Sequence, residues 1–428
     1  MVEGGGRSGG WRRALGPGVL FTGAAVGVSH LVQSTRAGAV YGFALVLVVV
    51  AANLLKYPAF RFGPHYAAAT HTSLLEGYRR QGRWALAVYG LLTLGTMFTV
   101  LAAVTLVTAG IASFLFGIDL PPVVVSAVVL LLCGALVAVG RYHWLDRISK
   151  VVVSVLALST LVAVFAALPT VDWGTIRIVP SSEELDPATM LFVAALVGWM
   201  PSAIDVSVWQ SLWTLAREKD TGHRPTLQES SLDFHLGYWG TALLAVCFLA
   251  LGAAVMHGRG IELDQRPAVF ASQIVDLYAS TLGEWSRPVI GTCALLTMFS
   301  TTLTVVDGFP RALSVLVARF RGPEQPGGAE EDRQANRNVY WVSVVVAALG
   351  ALAVLQLLLA QLKTLVDVAT TLSFLTAPIL AWLNHRAVLG PEVPTEMRPA
   401  RWLIVASWVG IIGLGGFALL YLVLITKA

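Results

Sequence analysis

The chain has 428 residues, of which 56% are hydrophobic and only 13% charged, with a formal net charge of +4 and a mean hydropathy of +0.72. Soluble domains carry about a quarter charged residues, so this composition excludes an ordinary water-soluble fold. Apolar runs of about 20 residues, the length that crosses the hydrocarbon core as a helix, place the chain in a lipid bilayer.

Eleven such spans are predicted: 14–35, 37–55, 84–118, 120–140, 151–171, 187–204, 236–258, 288–306, 338–362, 368–385 and 402–426. Residues 1–13 read as a short disordered cytoplasmic tail, resembling neither a cleavable signal nor a soluble domain. Span 1 is interrupted by Gly27-Val28-Ser29-His30. Backbone that leaves the helix inside a bilayer must be satisfied by protein or by a water-lined cavity, so a polar break there marks a binding place. Spans 1 and 2 are expected to join tightly around Arg36, a base within the membrane. The segment 56–83 reads as an inner loop with one or two interfacial helices. Its His65 and His71 are six apart, which is not the ligand spacing of a helix face.

Span 3 is rich in threonine (Thr93, Thr96, Thr99, Thr105, Thr108), a pattern suited to close helix packing. Segments 169–187 and 257–287 read as outer loops. Span 6 carries a second break at Met200-Pro201-Ser202 and continues past Asp205 to Ala216. Beyond it, Ser207, Gln210, Ser211 and Thr214 either line a path or join helices. Asp307 directly follows span 8, with Arg311 one turn later. Segments 322–337 and 391–401 are inner connections, the first a flexible Gly- and Pro-rich linker. Cys133, Cys247 and Cys293 lie singly in apolar spans and read as small packing residues.

Most of the Lys and Arg fall in alternate connections, Lys56 among them, which puts the N-terminus inside and the C-terminus outside an inner (plasma) membrane. No basic tract with interleaved aromatics points to nucleic acid. A phosphate-binding glycine loop, a His-Glu-x-x-His zinc motif and a nucleophile–base pair are all missing from the sequence, so no enzyme and no cofactor is expected. Spans 1–5 (14–171) and 6–10 (187–386) each begin with an interrupted helix. An offset of five spans inverts one half relative to the other, and matching broken helices are a pointer to a transporter binding site. The expected fold is therefore an all-α membrane protein with a LeuT-type 5+5 inverted repeat and one extra C-terminal helix.

Within that frame the candidate site residues are Gly27, Ser29 and His30 at the first break, and Met200, Ser202 and Asp205 at the second. His30, Met200 and Asp205 are the candidate metal ligands: an imidazole, a soft thioether and a carboxylate. An ionisable residue inside a membrane asks for a partner. Arg36 is the partner named for Asp205 or Asp307, with Arg311 the alternative for Asp307. Gln210 joins Arg36, Asp307 and Arg311 as a candidate for coupling or gating.

Gly16-Pro17-Gly18, Ala37-Gly38-Ala39-Val40-Tyr41-Gly42, Asn53-Leu54 and Met200-Pro201 resemble the Nramp family of divalent-metal transporters. That resemblance implies a divalent cation as the transported substrate, bound between the two broken helices. The family's Asp-Pro-Gly-Asn motif falls on Gly27-Val28-Ser29-His30, and its Met-Pro-His motif on Met200-Pro201-Ser202. Its proton-carrying acids of span 3 have no counterpart between Trp84 and Ile118. A divalent cation moved without protons is the first expectation. The alternative is a small anionic or zwitterionic solute, drawn by half-helix N-termini, Arg36 and His30. A cation site needs Asp205 free and ionised, whereas an anion site needs it neutralised by Arg36.

Overall fold

The computed structural model describes residues 16–427 except 140–142, 175, 182–185, 258, 260, 262, 327 and 358–360. The expected tail, residues 1–13, lies outside the described residues. Among the described residues the regular structure is all helical.

The first crossing consists of α1 (Pro17–Ala25), a π-helical stretch (Ser29–Ser34) and α2 (Thr35–Tyr41), so it is interrupted at 26–28. It runs on through Arg36, where a turn was expected. The turn comes at Gly42, whose φ of 57° suits a residue without a side chain. Next, α3 (Val46–Thr70) continues far beyond the expected end at residue 55. The apolar pattern ends at Lys56, but the helix does not, because Lys56 is wholly buried and satisfied inside the protein. Lys56 is thus not a residue of an inner loop.

A short helix, α4 (Leu74–Gln81), leads into α5 (Arg83–Phe116), α6 (Pro122–Val139) and α7 (His143–Ala167). The second interrupted crossing is α8 (Pro187–Gly198) and α9 (Asp205–Thr221), separated by residues 199–204. Then come α10 (Leu227–Val255), α11 (Pro267–Leu282), α12 (Ser286–Arg321), α13 (Ala329–Ala335), α14 (Arg337–Leu357), α15 (Leu362–Val388) and α16 (Arg401–Lys427). Two of these correct the sequence reading. The segment 257–287, expected as an outer loop, contains α11, and the segment 322–337, expected as a flexible linker, contains α13. Among the described residues, nine helices are long and apolar enough to cross a membrane.

Helix α10 is the strut for the first crossing. Its start is fixed by a capping box, Thr226 with Glu229. A methyl group on Gly237 would overlap the backbone of Gly18 in α1, and one on Gly18 would overlap the Asp233 backbone of α10. Four turns on, Gly252 meets Thr35, and Gly38 of α2 meets Leu249 in the same way. Small residues let helix backbones approach to contact distance, which is how membrane helices gain packing without a hydrophobic drive. Both halves of the interrupted crossing are therefore pinned to one helix, on either side of the break. Asp233 adds to this, its carboxylate accepting from the Gly16 and Gly18 amides at 3.0 and 2.5 Å.

Candidate functional site

The two breaks face one another across a cavity of about 40 Å³. Its lining includes Ser29 from the first break, Ser202 and Asp205 from the second, Thr301 and Phe309 of α12, and Trp209 of α9. Asp205 is the first residue of α9, so its carboxylate sits at the positive end of a half-helix. It is 2% exposed, and its Oδ1 has no hydrogen-bond partner among the described residues. A buried charge is normally paired or bound to a metal, so this oxygen is the most demanding atom of the cavity. Gly27 packs against Thr301, where a methyl group would come within 3.0 Å of that side chain. The first break therefore lies tight on α12 with no room for an acidic side chain at Gly27 unless Thr301 moves.

His30 does not turn toward the cavity. Its Nε2 lies 2.9 Å from the Thr241 carbonyl of α10, and its Nδ1 lies 2.8 Å from Ser29 Oγ. Nδ1 also lies 3.0 Å from the Ala25 carbonyl, so both ring nitrogens are engaged within the protein. This ring is a strut between the first crossing and α10, in line with the two glycine contacts, and it does not line the cavity where a metal ligand was expected. Met200 is likewise fully buried away from the cavity lining, with its sulfur 3.5 Å from the Ser34 hydroxyl, which donates to it. The soft ligand predicted for the site is thus packed against the first crossing instead.

Arg36 pairs with neither Asp205 nor Asp307. Its guanidinium contacts both oxygens of Asp367 on α15, at 2.7 and 2.9 Å, and stands 4.7 Å above the Phe192 ring of α8. Gln33 donates to the same Asp367 and to Thr370, each at 3.2 Å. Both interrupted crossings and α15 are tied together on this side of the cavity. The sequence reading missed Asp367 because it started span 10 one residue later. Asp307 pairs with Arg311 at 2.8 Å and accepts from the Tyr340 hydroxyl at 2.6 Å. The alternative pairing expected for it is the one present.

Three further residues matter that the sequence did not single out. Lys56 donates from α3 to the Gly198 carbonyl at 2.7 Å and the Ser202 carbonyl at 3.2 Å, clasping both sides of the second break. Among the described residues no carboxylate pairs with it. Carbonyls left over at a helix C-terminus need donors, and here one ammonium supplies them. On the other side of the cavity, Trp209 lies one turn beyond Asp205 and meets Phe309 edge-on at 4.8 Å. These two rings close the cavity toward the C-terminal part of α9. Of the polar row on α9, Ser207 accepts from Asn384, Ser211 accepts from the Leu74 amide, and Thr214 donates to the Gln210 carbonyl. Ser207 and Ser211 thus join helices, whereas Thr214 bonds back within α9. Gln210 lies outside the cavity lining, its Oε1 without a partner among the described residues.

Beyond the aromatic pair lies a buried ionic cluster. Glu76 of α4 receives Arg79 and Arg80, and Arg319 of α12 reaches Glu76, Glu324 and Asp332. Glu324 also accepts from the Ser73 amide and hydroxyl. Burial pushes the Glu324 carboxyl up to about 7.

Residues 18–424 match the family described as natural resistance-associated macrophage protein-like (Nramp). An uncharacterized protein of Pasteurella multocida is 34% identical over 417 residues, covering 96% of this chain and 92% of that protein. The fold is similar to that of a mutant manganese transporter from Eremococcus coleocola, with a TM-score of 0.67 and 16% identity, over 98% of this chain and 88% of that one. It is also similar to MhsT solved in complex with L-phenylalanine, with a TM-score of 0.63 and 15% identity over 98% of both chains. Two interrupted crossings facing one cavity, on a fold shared with known transporters and in a sequence that matches nearly end to end, lead to one conclusion: the chain belongs to the Nramp family of membrane transporters.

Proposed function

We propose that this protein moves a divalent metal cation across the membrane by alternating access, at a site between its two interrupted crossings. Each interrupted pair is read as one crossing, which makes eleven, with residues 14–171 and 187–386 as the two inverted repeats. The N-terminus is assigned to the cytoplasm by the distribution of Lys and Arg. The observation that carries the reading is Asp205, a buried carboxylate with an unpartnered oxygen in a cavity sized for an ion with a water or two. The Arg36–Asp367 pair supports it, because the base that an anion site would set against Asp205 is engaged elsewhere.

The side chains that can reach an ion here are oxygen donors: the Asp205 carboxylate and the Ser29 and Ser202 hydroxyls. Carbonyls of the breaks complete the set. Oxygen donors suit Mg²⁺, Ca²⁺ and Mn²⁺ better than softer metals. With one carboxylate the site is weak and the ion keeps part of its water. Span 3 carries no acid to bear protons, which leaves the membrane potential as the drive, about 2.3 kcal/mol per charge per 100 mV. Uptake of Mn²⁺, Mg²⁺ and Ca²⁺ into proteoliposomes, with and without a pH gradient, tests the reading. Saturable uptake that follows the potential and ignores the pH gradient is expected. Folded, inserted protein that moves none of the three ions would overturn it in favour of a small organic solute.

A further inference from the structure

On the flank of the molecule, the second half of α3, the N-terminal turns of α10 and the segment leading into α16 enclose a separate cleft of about 450 Å³. The N-termini of α10 and α16 and the C-terminal half of α3 all meet here, so the cleft lies toward one face of the membrane. Two arginines, Arg61 and Arg398, and two histidines, His65 and His235, line it, with no Asp or Glu. Arg61 donates to the Tyr57 hydroxyl at 2.8 Å and to Ser231 at 3.4 Å, while its buried Nε has no partner among the described residues. Its guanidinium carbon stands 5.8 Å from both the Tyr57 and Trp402 rings. Arg398 contacts only the Gly390 carbonyl, at 3.5 Å, among the described residues.

Neither arginine has a carboxylate partner among the described residues. By contrast, Arg79, Arg80 and Arg319 are all engaged by acids. Below the cleft, Leu232, Leu236 and Trp239 are exposed at helical spacing on α10, beside exposed Trp402 on α16. In a membrane-spanning chain that surface faces acyl chains, and tryptophans gather at headgroup depth. A cationic mouth above an apolar lane fits a molecule with an anionic head and hydrocarbon tails. Basic pockets between membrane helices are a known physical means of holding such headgroups.

We propose that this cleft binds the phosphodiester headgroup of an anionic phospholipid, held by Arg61 and Arg398, with its acyl chains along Leu232, Leu236 and Trp239. The test is thermal unfolding and native mass spectrometry of the full chain with added phosphatidylglycerol, phosphatidylcholine or soluble glycerol phosphate. Phosphatidylglycerol alone is expected to raise the unfolding midpoint and stay bound in the mass spectrum. Arg61→Gln and Arg398→Gln are each expected to weaken its binding about tenfold, the effect of losing one charge-assisted contact. Arg61 packs on two rings, so Arg398→Gln, at an exposed position, carries the test should Arg61→Gln fail to fold. Equal effects of the two lipids, unchanged binding in the folded variants, or a response to glycerol phosphate matching that to phosphatidylglycerol would each overturn the proposal.

Discussion

A single ammonium, that of Lys56, holds the second break from the neighbouring helix α3. A lysine after an apolar run normally marks the exit from the membrane. Here it is fully buried in mid-helix and donates to two carbonyls of the second break. Removing the ammonium strands both acceptors, and a buried unsatisfied group costs about 1–3 kcal/mol. Lys56→Met is therefore predicted to lower the thermal midpoint well beyond the scatter of surface substitutions; an unchanged midpoint would show that the clasp is not needed. The place of Asp205 in the cavity wall was legible because an acid just after a polar break in an apolar span stands out. His30 and Met200 stood out for the same reason, but which way a side chain turns within a break depends on the local helical phase. A π-helical stretch sets that phase at His30, and the sequence gives no sign of it.

At the scale of elements, the pairing of α10 with both halves of the first crossing rests on backbone contact. Gly237→Leu forces α10 off α1, and Gly240→Leu, three residues later with open space around it, is the matched control. Overpacking typically costs about 1–3 kcal/mol, and more where backbone must move. Loss of folded protein is predicted for the first and near-native stability for the second, read by thermal unfolding in detergent. These close contacts were not legible, because glycine is common in membrane helices and only the fold says which glycines meet. The long spans were legible throughout. Their ends were not, because α3, α12 and α15 extend past the apolar pattern on residues satisfied by other helices. Arg36 and Asp367 were separated by such an error of boundary.

The ionic cluster around Glu76 ties α4, α12 and α13 and holds a carboxyl shifted toward neutral pH. Glu324 carries a carboxyl raised to about 7, against about 4.3 for a free glutamate. The folded state then holds this proton more tightly than the unfolded one. Its contribution to stability is complete below about pH 4.3 and is lost as pH rises through about 7. Amide exchange in residues 322–337 is predicted to be faster, relative to the intrinsic rate, at pH 8 than at pH 6. Glu324→Gln should flatten that difference; a pH response unaltered by the substitution would locate its origin elsewhere.

For the whole molecule, the cavity lies between the Arg36–Asp367 tie on one side and the Trp209–Phe309 contact on the other. The sequence revealed two breaks at matching places in two halves, enough to read the fold and the class of function. It did not reveal that the rest of the cavity wall comes from α5 and α12, since only tertiary packing brings them there. The account as a whole rests on Asp205 as the one charged ligand and on Met200 as a packing residue. Cation uptake into proteoliposomes by Asp205→Asn and Met200→Leu, side by side with the unaltered chain, tests this most directly. Asp205→Asn is predicted to abolish saturable uptake, while Met200→Leu, which keeps the volume and removes the sulfur, retains it. Uptake that survives Asp205→Asn, or that is lost in folded Met200→Leu, would contradict the account.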